Sequence, residues 1–291
     1  MKAQNSAWWF IFFTAPMLFI FATVVLVPFF IGISYSFFSW DGLPLNPKIF
    51  VGPDNFTRIF GDTRFLSSAG HTVLFTIFSV LAINILGLFF ALAVTTEIKV
   101  RNAARTMLFA PYMIGGLILG YIWKFILGDA FKAIGEKTGL YTIFFNWLLN
   151  PQSALLALTV VITWQMAGYI MIIYITGIQS IPEEVLEAAK MDGAGFWTAL
   201  IKIKFPLIMQ SFTVCLFLSL SNCFKIFDVN LSLTAGGPYS STELFAMNIY
   251  HEIFSLNNYG YGQAKAIVFF VIVAVITLFQ VSLSKKREVE L

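Results

Sequence analysis

Charge is what this chain has least of. Aspartate, glutamate, lysine and arginine together supply 11% of its 291 residues, while hydrophobic residues supply 58%. A soluble domain carries more than twice that share of charge. With a mean hydropathy of +0.82, a water-soluble globular fold is excluded and a polytopic membrane protein is expected. Only two histidines occur, His71 and His251, and no acidic cluster joins them. An intramembrane enzyme wants such a cluster, so neither a catalytic residue nor a metal site is expected. The two cysteines, Cys215 and Cys223, fall on one expected helix, about 12 Å apart by helical rise and beyond disulfide reach. A net charge of +3 gives no support for nucleic-acid binding. A phosphate-binding loop is missing too. Gly135-Glu136-Lys137-Thr138 ends like a Walker A sequence, but Glu136 separates Gly from Lys and the upstream glycine spacing fails.

What the chain has in quantity is long uncharged sequence. Residues 3–40 hold no charge, with Trp8, Trp9, Tyr35 and Trp40 placed like interfacial anchors. This run is too long for a signal peptide and lacks a clear cleavage site. Counting onward, an all-α fold with six transmembrane helices is expected, at about 12–37, 71–94, 106–127, 154–178, 206–227 and 264–284. Pro16 and Pro28 are expected to kink the first span, and Pro111, Gly115, Gly116 and Gly120 to interrupt the third. Three polar connections, 38–70, 128–153 and 228–263, share one side. The second of them is expected to hold an amphipathic surface helix around Phe144, Trp147 and Leu148.

Basic residues set the orientation. Lys2, Lys99, Arg101, Arg105, Lys190, Lys202, Lys204, Lys285, Lys286 and Arg287 fall on one side. Lys48, Arg58, Arg64, Lys132 and Lys137 fall on the other. By the positive-inside rule both termini and the connection 180–205 are cytoplasmic, and the three polar connections extracytoplasmic. Lys124 and Lys265, near span ends, read as snorkelling residues.

The connection 180–205 is a long charged stretch between two apolar spans, unlike the short charged loop of Glu97, Lys99, Arg101 and Arg105. Ser180 reads as an N-cap, Pro182, Glu183 and Glu184 suit a first helical turn, and Gly193 and Gly195 permit a turn into a second short helix ending near Pro206, where the fifth span begins. Within it, Glu187-Ala188-Ala189-x-x-x-Gly193-x9-Ile203-x-Phe205-Pro206 resembles the EAA motif of the membrane subunits of binding-protein-dependent ABC importers, with Phe205 where that family usually has Leu. The resemblance extends through Phe50-Val51-Gly52-Pro53-Asp54-Asn55-Phe56, Gln179-Ser180-Ile181-Pro182, Asp192-Gly193-Ala194 and Leu233-Thr234-Ala235-Gly236-Gly237-Pro238. Together these blocks are similar to the maltose-type and glycerol-phosphate-type permeases of carbohydrate uptake.

That resemblance implies a permease subunit moving a sugar, oligosaccharide or sugar-like solute into the cytoplasm by alternating access, in a bacterial-type cytoplasmic membrane. It implies as partners a second homologous permease, two ATP-binding subunits that hold ATP and Mg, and an extracytoplasmic solute-binding protein. Glu183, Glu187, Ala188, Ala189, Asp192, Gly193 and Ala194 would then face the ATPase. It also places a sugar site on spans three to five, with Tyr112, Gly116, Trp164, Gly168 and Tyr169 matching the family's pattern; by helical spacing Gln165 shares a face with Tyr169, and Asn222 with Lys225, adding polar groups that suit a sugar in a wet cavity. Gly116, lacking a side chain, leaves room for a larger or differently placed sugar. Lys225 suits an acidic sugar or phosphate if unpaired, and is structural if it pairs with Asp228. A stand-alone secondary transporter of a small polar solute is the alternative, although no inverted repeat and no mid-span carboxylate is evident.

Overall fold

The computed structural model describes residues 2–96 and 100–286, with side chains from Phe10 onward. Lys99 and Arg287 of the basic count lie outside the described residues, as do the side chains of Lys2, Trp8 and Trp9. The chain divides into two compact units, one of residues 1–63 and 249–270, the other of residues 64–248 and 271–291.

In the first unit, α1 (Phe10–Tyr35) has none of its apolar window buried. Pro16 and Pro28 do not break it. A π-turn at Ala22–Leu26 lies just ahead of Pro28, where a proline leaves the carbonyl four residues back without a donor. A two-residue hairpin follows, β1 (Phe38–Ser39) antiparallel to β2 (Ile49–Phe50). In its loop Asp41 accepts from the Leu43 N–H and the Asn46 amide, which holds its pKa below the usual carboxylate value. Next comes α2 (Asp54–Ile59). The buried amide of Asn55 donates to Ser36 O at 2.8 Å and Phe38 O at 3.0 Å, tying α2 to the hairpin.

The same unit contains the largest departure from the sequence reading. Lys265, on α12 (Tyr259–Lys285), does not snorkel. It is wholly buried, with Nζ 2.8 Å from Asp62 and 2.6 Å from Glu252. Tyr261 donates to Asp62 at 2.9 Å, Asn258 donates to Glu252 at 2.8 Å, and the Arg58 guanidinium lies 4.3 Å from the Tyr261 ring centre. Two cations and two carboxylates thus share one cluster, which is how charge survives in low dielectric.

The second unit is built on α3 (Thr63–Thr95), α4 (Arg101–Met113), α5 (Gly116–Thr138), α6 (Pro151–Gln179), α7 (Glu183–Met191), α8 (Phe196–Leu207), α9 (Met209–Phe224), α10 (Asp228–Leu233) and α11 (Phe245–Tyr250). Helices α1, α3, α6 and α12 are each long and apolar enough to cross a bilayer. The bent pairs α4–α5 (97°) and α8–α9 (73°) bring the number to six if each is one span. The helices α3 and α12 extend beyond the expected spans 71–94 and 264–284, because a helix continues past its apolar stretch wherever its backbone bonds remain satisfied.

Three further expectations change. The surface helix expected over 128–153 is absent. Instead α5 runs on to Thr138, and the one 3-10 turn at Trp147–Leu149 folds back, so that Trp147 and Phe144 meet Phe131 edge-on. Ser180 does not cap α7. Its hydroxyl donates to Gly177 O at 2.8 Å, and Pro182 stands at the cap position. Pro206 closes α8 behind a π-turn at Ala199–Lys204, and the fifth apolar helix starts only after Ile208.

Helix α6 is the core of this unit, with 56% of its apolar window buried. Asn150 caps it, its side chain accepting from Gln152 N at 3.1 Å ahead of Pro151. Near its far end the Tyr174 hydroxyl donates to Asn84 Oδ1 on α3 at 2.9 Å, and the Asn84 amide donates to Ser219 Oγ on α9 at 2.9 Å. One buried chain of side chains therefore joins three helices where no water competes. Tyr174→Phe leaves Asn84 Oδ1 without that donor and is expected to cost about 1 kcal/mol, read as a modest drop in thermal midpoint in detergent.

Candidate functional site

Two breaks in the helical backbone lie on either side of α6. The first follows Pro111: residues 110–113 tighten to a 3-10 turn, Ile114 (ψ 126°) and Gly115 (ψ 139°) are extended, and α5 restarts at Gly116. The second follows α9, where Lys225 ends the helix and Phe227 (φ −136°) turns the chain into α10. Broken helices expose backbone groups, which is tolerated at membrane depth only against protein or a wet cavity. Gln165 on α6 meets part of that need by donating to Ile114 O at 3.0 Å.

Between the breaks lies a cavity of about 280 Å³. Of the eight residues expected there, Tyr112, Gly116, Gln165, Asn222 and Lys225 line it, together with Asp228 and the apolar Ile162 and Met166. Asn222 and Lys225, three apart, share a face as their spacing requires. The Asn222 amide donates to Leu218 O at 2.9 Å, which leaves its carbonyl oxygen for the cavity. Among the described residues no ion pair joins Lys225 to Asp228, so the cavity offers a cation and a carboxylate at once.

The other three expectations fare differently. Trp164 is 43% exposed, meets Trp123 edge-on and lines a separate apolar cleft of about 660 Å³. Gly168 is buried, and a Cβ there would overlap the Leu108 carbonyl oxygen, so it is a close-approach residue between α4 and α6. Tyr169 stacks on Tyr112, ring centres 4.4 Å apart and planes within 7°. Gly116 lines the cavity but gives no extra room. A Cβ would stand 2.9 Å from Asp228 Cβ, because α10 packs where the side chain would be.

The charged stretch forms the expected helix-turn-helix. Gly193 has φ +77°, Gly193 N bonds Lys190 O at 3.1 Å, and Ala194 N bonds Ala189 O at 2.9 Å, closing α7 with a left-handed residue. Ala189 is buried and Ala194 half-buried, whereas Glu183, Glu187, Ala188, Asp192 and Gly193 are exposed. Around the turn Met191 (88% exposed), Phe196 (64%) and Trp197 (70%) stand out as bare apolar side chains. The motif names none of them. The signal that could have found them is an aromatic pair and a methionine inside a charged loop, a composition that marks a contact surface.

Known proteins share this chain's family and fold. Residues 83–289 match the family described as binding-protein-dependent transport system inner membrane component. The chain is 45% identical over 288 residues, 99% of its own length and 97% of the relative's, to the probable starch degradation products transport system permease protein AmyD of Thermoanaerobacterium thermosulfurigenes. It is 31% identical, at 99% of both chains, to the multiple sugar-binding transport system permease protein MsmF of Streptococcus mutans. Its fold is similar, with a TM-score of 0.83 at 22% identity and 98% coverage of both chains, to a bacterial ABC transporter involved in the import of the acidic polysaccharide alginate. Against these likenesses the stand-alone secondary transporter gives way. The chain belongs to the binding-protein-dependent inner membrane components, the permease subunits of ABC importers.

Proposed function

We propose that the cavity between the two helix breaks is this subunit's part of a sugar pathway, and that α7, the Gly193 turn and the start of α8 seat an ATP-binding subunit on the cytoplasmic side. The observation that carries the first part is the pairing of two interrupted helices around Tyr112, Gln165, Asn222, Lys225 and Asp228. The second part rests on exposed Glu187, Gly193, Met191, Phe196 and Trp197, a knob with an apolar crown and a carboxylate. In this reading an extracytoplasmic binding protein delivers the solute, and a second homologous permease completes the pathway. Two ATP-binding subunits hold ATP and Mg, and both termini are cytoplasmic.

The solute is read as a neutral oligosaccharide. Asp228 shares the cavity with Lys225, so an acidic sugar would meet a carboxylate beside the ammonium, whereas sugar hydroxyls donate to the one and accept from the other. The relatives' names, starch degradation products and multiple sugars, support that class. The test is uptake of maltotriose by proteoliposomes holding the complete transporter. Asn222→Ala and Lys225→Ala are each expected to lower uptake about tenfold, the worth of one hydrogen bond to a charged or buried partner, while the ATP-binding subunits stay attached. Normal uptake in both variants would overturn the assignment of the cavity.

A further inference from the structure

A second polar cavity, of about 300 Å³, lies wholly within the first unit and shares no residue with the cavity between the helix breaks. Its walls come from two stretches distant in sequence, the hairpin with α2 and the turn that leads into α12. Backbone and side chains lock the two together. Gly260 N donates to Trp40 O at 3.0 Å, at a crossing so close that a Cβ on Gly260 would overlap Phe38 O. Tyr261 and Asn258 are tied to Asp62 and Glu252 of the Lys265 cluster. The cup is therefore built before any ligand arrives.

Much of its hydrogen-bonding capacity is unused. The Arg58 guanidinium is held 4.3 Å from the Tyr261 ring centre, and among the described residues it makes no ion pair and no hydrogen bond. Asn55, 7% exposed, spends its amide on Ser36 O and Phe38 O, and among the described residues no donor reaches its Oδ1. Asn46 and Asn258 donate to Asp41 and Glu252, which leaves their carbonyl oxygens for the cup. Asp41 accepts from Leu43 N at 3.0 Å and from Asn46, half of the about four bonds that a carboxylate takes. Asn257 sits at φ +52°, a left-handed position where glycine fits without strain. An amide stands there instead, on the wall of the cup, with no hydrogen-bond partner for its side chain among the described residues.

Donors and acceptors thus face one small space, a guanidinium among the first and a carboxylate among the second. An anion would meet Asp41 and the amide oxygens, and a cation would meet Arg58. A sugar hydroxyl both donates and accepts, so it answers both sets. Trp40, whose indole N–H is spent on Leu43 O at 2.9 Å, adds an apolar wall for C–H surface. We propose that this cup is a second carbohydrate site, taking one ring of a neutral saccharide on the extracytoplasmic face, apart from the pathway cavity. Its volume is at the small end for ligand sites, which suits a single ring rather than a chain. The proposed orientation supplies only its side of the membrane.

The test is made on the complete transporter in nanodiscs, without ATP or binding protein. Ser39→Cys places a thiol in the cup, and the native Cys215 and Cys223 are wholly buried. Alkylation by a charged maleimide is followed by mass spectrometry of the peptide carrying position 39, against rising maltotriose, with betaine at equal osmolality as control. Maltotriose is expected to slow the reaction saturably and betaine to leave it unchanged. Asn257→Gly suits the left-handed backbone and deletes only the amide, so it is expected to raise the half-protecting concentration about fivefold with the thermal midpoint unmoved. Arg58→Gln is expected to raise it about tenfold, since a charged donor is worth more. Asn257→Cys is the second reporter, and absence of protection at both thiols would overturn the site. So would protection that Asn222→Ala removes, or protection given by solute-free binding protein and not by maltotriose, which would make the cup a docking pocket. If Asn222→Ala loses maltotriose uptake while neither thiol is protected, the pathway stands and the second site falls. If the thiols are protected while Asn222→Ala takes up maltotriose normally, the second site stands and the pathway assignment is what fails.

Discussion

Lys265→Ala is expected to unfold the first unit at temperatures where the wild-type protein is intact, at a cost of about 3–5 kcal/mol. The ammonium is wholly buried and lies within 2.8 Å of both Asp62 and Glu252. Its removal leaves two carboxylates close together with Arg58 as the remaining cation of the cluster, and each must be protonated or hydrated at a price in folding free energy. The damage belongs to the unpaired charges and not to the lost attraction, because burying an ion pair gains little over a well-packed apolar one. That distinction is testable. Lys265→Met combined with Asp62→Asn and Glu252→Gln is expected to regain a large part of the stability lost in Lys265→Ala, measured as the thermal midpoint of the detergent-solubilised protein. A triple variant no more stable than Lys265→Ala would show that packing volume, not charge, is what Lys265 supplies.

Gly193→Pro is expected to abolish stimulation of the ATP-binding subunits by solute-loaded binding protein while leaving the permease folded. The residue sits at φ +77° with nothing within 4 Å of the position a Cβ would take. Crowding by neighbours is therefore absent, and the effect lies in the backbone: its conformation and the lost Gly193 N–H bond to Lys190 O. Proline fixes φ near −65°, of the wrong sign, so α7 loses its left-handed stop and α8 is re-aimed. Graded substitutions sharpen the prediction. Gly193→Asn, a residue that enters the left-handed region readily, should keep most of the stimulation, while Gly193→Val should lose it, since a β-branched residue there is strained by roughly 1–2 kcal/mol. Glu187→Arg is expected to weaken docking without moving the thermal midpoint, because among the described residues its carboxylate has no partner to lose. Equal stimulation in wild type and Gly193→Pro, measured as ATPase activity of the purified complex, would remove the coupling role from this turn.

How much of this was legible beforehand depended on how local the physics is. The Gly193 turn and the Pro111 break each follow from one or two residues whose backbone preferences are strong, and both appear in the structure. Asn222 and Lys225 share a face because helical spacing alone decides it. What escaped were the outcomes that need a partner distant in sequence. Lys265 reads as a snorkeller until Asp62, far away along the chain, is brought to it beside Glu252, 13 residues back. Trp164 and Gly168 sit in a pattern suggestive of sugar contact, yet one faces an apolar cleft and the other a backbone carbonyl, because facing on α6 is decided by α4. Gly116 looked like empty space, which only α10 could fill.

Helix α6 runs unbroken from the cavity wall at Gln165 to Gln179, immediately before α7, a reach of about 20 Å at helical rise. Its two neighbours on the cavity, α4–α5 and α9–α10, are interrupted at the level where it is stiff. In mechanical terms the unit is a pushrod flanked by two knuckles. If the Gly193 knob is where an ATP-binding subunit docks, as proposed, force applied there has a rigid member to travel along from α7 to the cavity wall, so little of the stroke along α6 is absorbed on the way.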